Sequence, residues 1–77
     1  MGTAFILLKT EPARERDVYL RLQDLDMVVE THALYGEFDL LARVEAASAK
    51  ELTEMLISTM RSIDGVRETQ TLITVDY

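Results

Sequence analysis

"MVVETHALYGEFDLLARV", residues 27–44, reads as two strands and the link between them. Before the link, Met27, Val29, Thr31 and Ala33 alternate with Val28, Glu30, His32 and Leu34; after it, Phe38, Leu40, Ala42 and Val44 alternate with Asp39, Leu41, Arg43 and Glu45. Successive side chains of a strand point to opposite faces, so the two runs pair as antiparallel strands, the second with one clean core face. The link is richer than that pairing requires. An Asn-Gly turn would close the hairpin in two residues, yet this chain places Tyr35, Gly36, Phe38 and Asp39 there. Turn chemistry does not call for an acid directly after an aromatic.

On the N-terminal side, Thr3–Thr10 is a short apolar run bounded by polar residues, which favours a largely buried strand. Thr10-Glu11-Pro12 reads as a helix start, since proline is tolerated in the first turn and Glu11 suits the positive end of the dipole. Val18, Leu22 and Leu25 then make the apolar stripe of a helix predicted over 12–24. On the C-terminal side, Ser48-Ala49-Lys50-Glu51 matches a capping box. Leu52, Met55, Leu56, Thr59 and Ile63 follow at helical spacing, and Gly65 closes the element. Residues 66–77 form a last strand with Thr69, Thr71, Ile73 and Val75 on one face and Glu68, Gln70, Leu72 and Thr74 on the other.

Strand, helix, strand, strand, helix, strand is the order of an α+β, ferredoxin-like βαββαβ fold, a four-stranded antiparallel sheet with both helices on one face. Its second face would stay bare in a monomer. We expect Leu41, Ile73 and Val75 on it, and an uncovered apolar patch of that kind marks an interface.

The 77 residues make one domain, 1–77. A chain of this size buries only about 60% of the surface it exposes when unfolded. Cysteine is absent, so association is the expected reinforcement. Fourteen acids against eight scattered bases leave a net charge of -6, a poor footprint for direct nucleic-acid binding. No apolar stretch reaches the roughly 20 residues of a membrane span, and no signal-peptide pattern opens the chain, so no membrane partner is expected and the cytoplasm is the default compartment. His32 and Glu30 share a strand face but lack a third ligand, so no metal is expected. There is no nucleophile with a neighbouring base and no glycine-rich phosphate loop; neither a catalytic residue nor a cofactor is predicted.

Three stretches together resemble the ligand-binding domain of the Lrp/AsnC family, the feast/famine transcription regulators: Tyr35-Gly36-Glu37-Phe38-Asp39-Leu40, Ile63-Asp64-Gly65-Val66 and Thr69-Gln70-Thr71. Members of that family carry an N-terminal helix-turn-helix domain. This chain starts at the first strand of the ligand domain, so it is similar to stand-alone versions. The resemblance implies sheet-to-sheet dimers, assembly of dimers into octameric rings (a tetramer of dimers), free amino acids bound in clefts between dimers, and co-assembly with full-length Lrp/AsnC regulators. It places Leu34, Tyr35, Gly36, Glu37, Phe38, Asp39, Thr69 and Thr71 at the ligand. A free amino acid needs an acceptor for its ammonium, for which Asp39 is the right type, and donors for its carboxylate, which N–H groups around Gly36 and Glu37 can supply. Tyr35 and Phe38 would wall the cleft, Leu34 would meet the ligand side chain, and the threonine hydroxyls can donate or accept.

Plainer readings stand beside these. Gly36 serves a hairpin, Tyr35 and Phe38 can staple its strands, and β-branched threonines fit strands for packing alone. Two other classes share the element order: an ACT-like regulatory module of an amino-acid metabolic enzyme, and a small dimeric ferredoxin-like enzyme with a cavity between sheet and helices.

Overall fold

The apolar runs that open the chain and follow its central link take the two middle positions of one sheet. The computed structural model of the protein describes residues 2–75. Its elements are β1 (Gly2–Thr10), α1 (Glu15–Gln23), β2 (Val28–Ala33), β3 (Leu40–Ala46), α2 (Ala49–Ser58), a 3₁₀ turn at Met60–Ser62 and β4 (Val66–Ile73). Every neighbouring pair is antiparallel and the order is β2-β3-β1-β4, the ferredoxin-like arrangement.

Strict alternation on β1 and β3 decides where the core lies. Ala4, Ile6 and Leu8 of β1 and Leu40, Ala42 and Val44 of β3 are buried against Val18 and Leu22 of α1 and Leu52 and Met55 of α2, with Met60 and Ile63 closing the end. Burying each large member stabilises the fold by about 1.5–3 kcal/mol. Paired residues form rows across the sheet: Leu40, Leu8 and Thr69 make one, and Ala42, Ile6 and Thr71 the next.

Several boundaries differ from the sequence reading. The first helix begins at Glu15 instead of residue 12, because Ala13 adopts φ +66, a left-handed conformation no helix can include. Pro12 thus belongs to a turn, in which Arg14 N–H donates to Glu11 O at 3.0 Å. The second strand covers Val28–Ala33, and a bulge leaves Val29 without a partner between Val28↔Val44 and Glu30↔Arg43. Val28 therefore joins Thr31 and Ala33 on the helix side, where simple alternation had put it with Glu30 and His32. The third strand starts at Leu40, so Phe38 is not a core-facing strand residue. The last strand ends at Ile73; the expected extension over residues 76 and 77 lies outside the described residues. At the start of α2, Glu51 N–H donates to Ser48 Oγ at 3.2 Å, but the Glu51 carboxylate accepts from Ala47 N–H at 3.1 Å, one residue before the cap.

The uncovered face also needs correcting. Leu41 lies on it as expected, but Ile73 pairs with Ala4 and shares the helix side, while Val75 follows the end of β4. The apolar residues of the bare face are Phe5, Leu7, Leu41 and Leu72, with Phe5 set between Arg43 and Leu72 and Leu7 between Leu41 and Gln70.

Gly65 ties the two halves together. Its φ is +97, and a Cβ there would sit 3.0 Å from Val18 Cγ2 and 3.3 Å from Arg14 Cβ. Its carbonyl accepts from Glu11 N–H at 2.8 Å, and Asp64 receives Arg14 Nη2 at 2.8 Å. The Arg14 guanidinium holds the Asp64 carboxyl below the usual carboxylate range. Replacing Gly65 by alanine combines backbone strain with a clash, so Gly65→Ala should lose about 1–3 kcal/mol in urea unfolding. An unchanged midpoint would show that the junction tolerates a side chain.

Candidate functional site

The central link is a loop braced at its base. Leu34 N–H donates to Asp39 O at 2.8 Å, and Asp39 N–H donates to Leu8 O at 2.9 Å. The Asp39 carboxylate then accepts twice at Oδ2, from Thr10 N–H at 2.8 Å and Thr10 Oγ1 at 3.2 Å. Thr10 is the buried polar residue of the described core, so the acid satisfies a backbone donor at the end of β1 that would otherwise be stranded. That is a reason for an acid at this point of the turn that hairpin geometry does not supply.

The aromatic before it has its own partner. Lys9 Nζ lies 5.4 Å from the centroid of the half-buried Phe38 ring, within cation–π range. Beyond these two residues the loop stands free. Tyr35 is fully exposed, Leu34 and Glu37 are exposed, and Gly36 has φ +154 with nothing within 4 Å of where its Cβ would be.

Thr69 and Thr71 lie elsewhere. Both face the helix side of β4, and with Thr53, Leu56, Ile57, Met60, Arg61 and Ile73 they line a groove of about 290 Å³ between β4 and α2. Thr69 shares the row of Leu8 and Leu40, two strand spacings or roughly 10 Å from the root of the loop. Within one chain the six loop residues thus lie together and the two threonines lie apart from them; the groove includes no residue of 34–39. The groove-lining residues of α2 and the 3₁₀ turn were not among the residues expected at a ligand. Their signal was present, since 53, 56, 57, 60 and 61 recur at i, i+3, i+4, i+7 and i+8.

The uncovered sheet face carries a third cluster. Arg43 Nε and Nη2 donate to Glu30 Oε1 at 3.0 and 2.7 Å, Arg43 Nη1 donates to Glu45, and His32 Nε2 lies 3.1 Å from Glu30 Oε2. His32 and Arg43 hold the Glu30 carboxyl below its ordinary value, and Glu30 raises the Arg43 guanidinium. This cross-strand network sits beside Phe5, Leu7 and Leu41.

The six loop residues and two threonines are not equally engaged in holding the fold. Asp39→Ala should cost about 1–3 kcal/mol in thermal unfolding by stranding Thr10 N–H, whereas Thr10→Val keeps that backbone donor and should cost less. Equal losses would show that the hydroxyl, and not the amide, is the partner that counts. A second expectation concerns pH. A depressed carboxyl stabilises the fold above its unfolded value, and that contribution disappears as pH falls through the folded one. The Glu30 carboxyl carbon, followed by NMR, should therefore titrate below the free-peptide value, and Arg43→Met should move it upward; a midpoint indifferent to that change would remove the network.

A family model described as the Lrp/AsnC ligand binding domain matches residues 3–76. An uncharacterized HTH-type transcriptional regulator of Pyrococcus abyssi is 36% identical over 77 residues, spanning 96% of this chain and 51% of its own. This chain thus covers about half the length of the curated relatives it matches, which are named HTH-type transcriptional regulators. Among solved structures, FFRP-DM1 superposes with a TM-score of 0.95 at 35% identity, covering 97% of this chain and all of that one. The transcriptional regulator NMB0573 of Neisseria meningitidis, solved as a complex with L-Met, shares the fold with a TM-score of 0.86 over 97% of this chain and 50% of its own, at 22% identity. No helix among the described residues is long and apolar enough to cross a membrane.

Proposed function

The chain belongs to the Lrp/AsnC family by its ligand-binding domain, and from that premise we propose that it is an amino-acid-responsive assembly domain that modulates regulators of the same family by joining their oligomers. The observation that carries this reading is the uncovered sheet face. Phe5, Leu7, Leu41 and Leu72 give it an apolar centre, and Arg43 with Glu30 and Glu45, like Lys9 with Glu68 at 3.3 Å, gives it a charged surround. A centre and rim of this kind favour a second copy, sheet against sheet. Because Arg43 and its acids are already paired within one chain, the face meets a partner with few unmatched charges.

The ligand site in this proposal is the 34–39 loop. Asp39 uses Oδ2 to hold Thr10, while Oδ1 has no partner among the described residues and is available to an ammonium. The N–H groups of Gly36 and Glu37 likewise have no protein acceptor among them and can meet a carboxylate. Tyr35, fully exposed in one chain, gains a purpose if a neighbour faces it. Thr69 and Thr71 then come to the loop from another subunit, since their groove lies apart from it in the same chain. The ligand class is a free amino acid, and L-methionine is the first to titrate because a protein of this fold is solved with it.

Light scattering at micromolar concentration tests the assembly: the wild type should run as a dimer or larger, and Leu41→Glu should run as a folded monomer. A monomeric wild type defeats the proposal. Calorimetry with the twenty amino acids tests the ligand: Asp39→Asn, which keeps an acceptor for Thr10, should abolish binding of whichever amino acid binds. Silence with all twenty would leave assembly as the whole function, and mixing with a full-length family regulator would then show whether the two share one oligomer.

A further inference from the structure

His32 is the one histidine of the chain, and it lies on the uncovered sheet face that the proposed function gives to a second copy. Its register partner is Leu41, which in turn pairs with Leu7, so the imidazole ends a row that leads into the apolar centre of that face. The adjoining row runs Glu30, Arg43, Phe5 and Leu72. Apolar contact and charge therefore meet at this edge.

Hydrogen bonds tie the imidazole to the charges. His32 Nε2 lies 3.1 Å from Glu30 Oε2, the other oxygen of Glu30 receives Arg43 Nε and Nη2, and Arg43 Nη1 reaches Glu45. Both helices pack on the opposite face, so the charged groups around His32 come from strands and the central loop alone. They are Glu30 on its own strand, Arg43 and through it Glu45 on β3, and, one row past Leu41 and Leu7, the pair of Lys9 and Glu68; Asp39 is turned to Thr10. With the imidazole neutral, two carboxylates share one guanidinium and the cluster keeps a surplus negative charge. Protonation cancels that surplus with a cation already bonded to Glu30.

Pairing sheet against sheet takes two such clusters out of water together, and an uncompensated charge is costly there. Each chain also brings a net charge of -6, so a proton gained by each lowers the repulsion between copies. We propose that proton uptake at His32 tightens the sheet-to-sheet dimer, which makes the assembly of this chain responsive to pH. This regulation rests on the reading of the uncovered face as a self-association surface. Histidine is the side chain whose charge ordinarily changes between about pH 5 and 8. The carboxylates stay ionised over most of that range, Glu30 the more firmly because His32 and Arg43 hold it below its ordinary value. Uptake on assembly fixes the sign: the dimer is favoured on the acid side, and the gain is lost as pH rises through the imidazole's range.

Sedimentation equilibrium of the whole chain over a dilution series, at pH 5.5, 6.5 and 7.5 and constant ionic strength, measures the Kd of the dimer. The wild type should tighten by about tenfold from the highest of these values to the lowest. His32→Gln should still dimerise, with a Kd that is flat across the window. His32→Lys, charged throughout, should be flat as well and tighter than the glutamine variant. Both change an exposed side chain, so the fold should survive, which circular dichroism checks. A wild-type Kd that is flat or loosens toward acid, or a pH dependence that persists in His32→Gln, would overturn the role of His32 while leaving the dimer in place. A wild type that is monomeric at all three pH values would remove the self-association reading and the switch together.

Discussion

Two short helices can cover one face of a four-stranded sheet and no more. In this chain both central strands obey strict alternation, so every core residue of β1 and β3 is committed to the helix side and its neighbours are committed to the other. What remains outside is therefore not free to be wholly polar. Phe5, Leu7, Leu41 and Leu72 keep a second, shallower apolar surface in place, and the charges around it are already paired with one another. An unpartnered sheet face follows from element count, and self-association is the resolution that the proposed function draws on.

The residues that carry the family likeness serve the fold before they serve any ligand. Asp39 joins the loop to the end of β1 through Thr10, and its backbone closes the link to Leu34 and Leu8. Asp64 and Gly65 do the same at the other junction, receiving Arg14 and Glu11 and letting α1 approach closely. One carboxylate oxygen of Asp39 is used internally and the other is not, so a single side chain can be both a brace and a point of recognition. Loops held this way present their remaining groups at low entropic cost to whatever binds.

The groups that the proposed function assigns to recognition lie in two places. The loop offers an acceptor and backbone donors, and the groove along β4 offers hydroxyls. The sheet itself keeps them apart, because β1 and β3 fill the space between. Assembly is the natural way for a chain of this size to bring distant chemistry together.

The element order, the core face of β3 and the capping residue of α2 were legible in the sequence, because burial on one side leaves a period of two or of 3.6; the unbroken apolar run of β1 showed a strand but not which of its faces meets the helices. The loop's distinctiveness was legible as well, as an acid that turn geometry did not require. Only the tertiary structure decided the rest. Ala13 took a left-handed conformation that delayed α1, and bulges at Val29 and Arg67 moved side chains off the faces that simple alternation assigns. Thr10 proved to be the partner of Asp39, and Thr69 proved to stand apart from it. Pattern reports which face a residue prefers. Which residues meet depends on register and on contacts between distant segments, and no local run of sequence encodes these by itself.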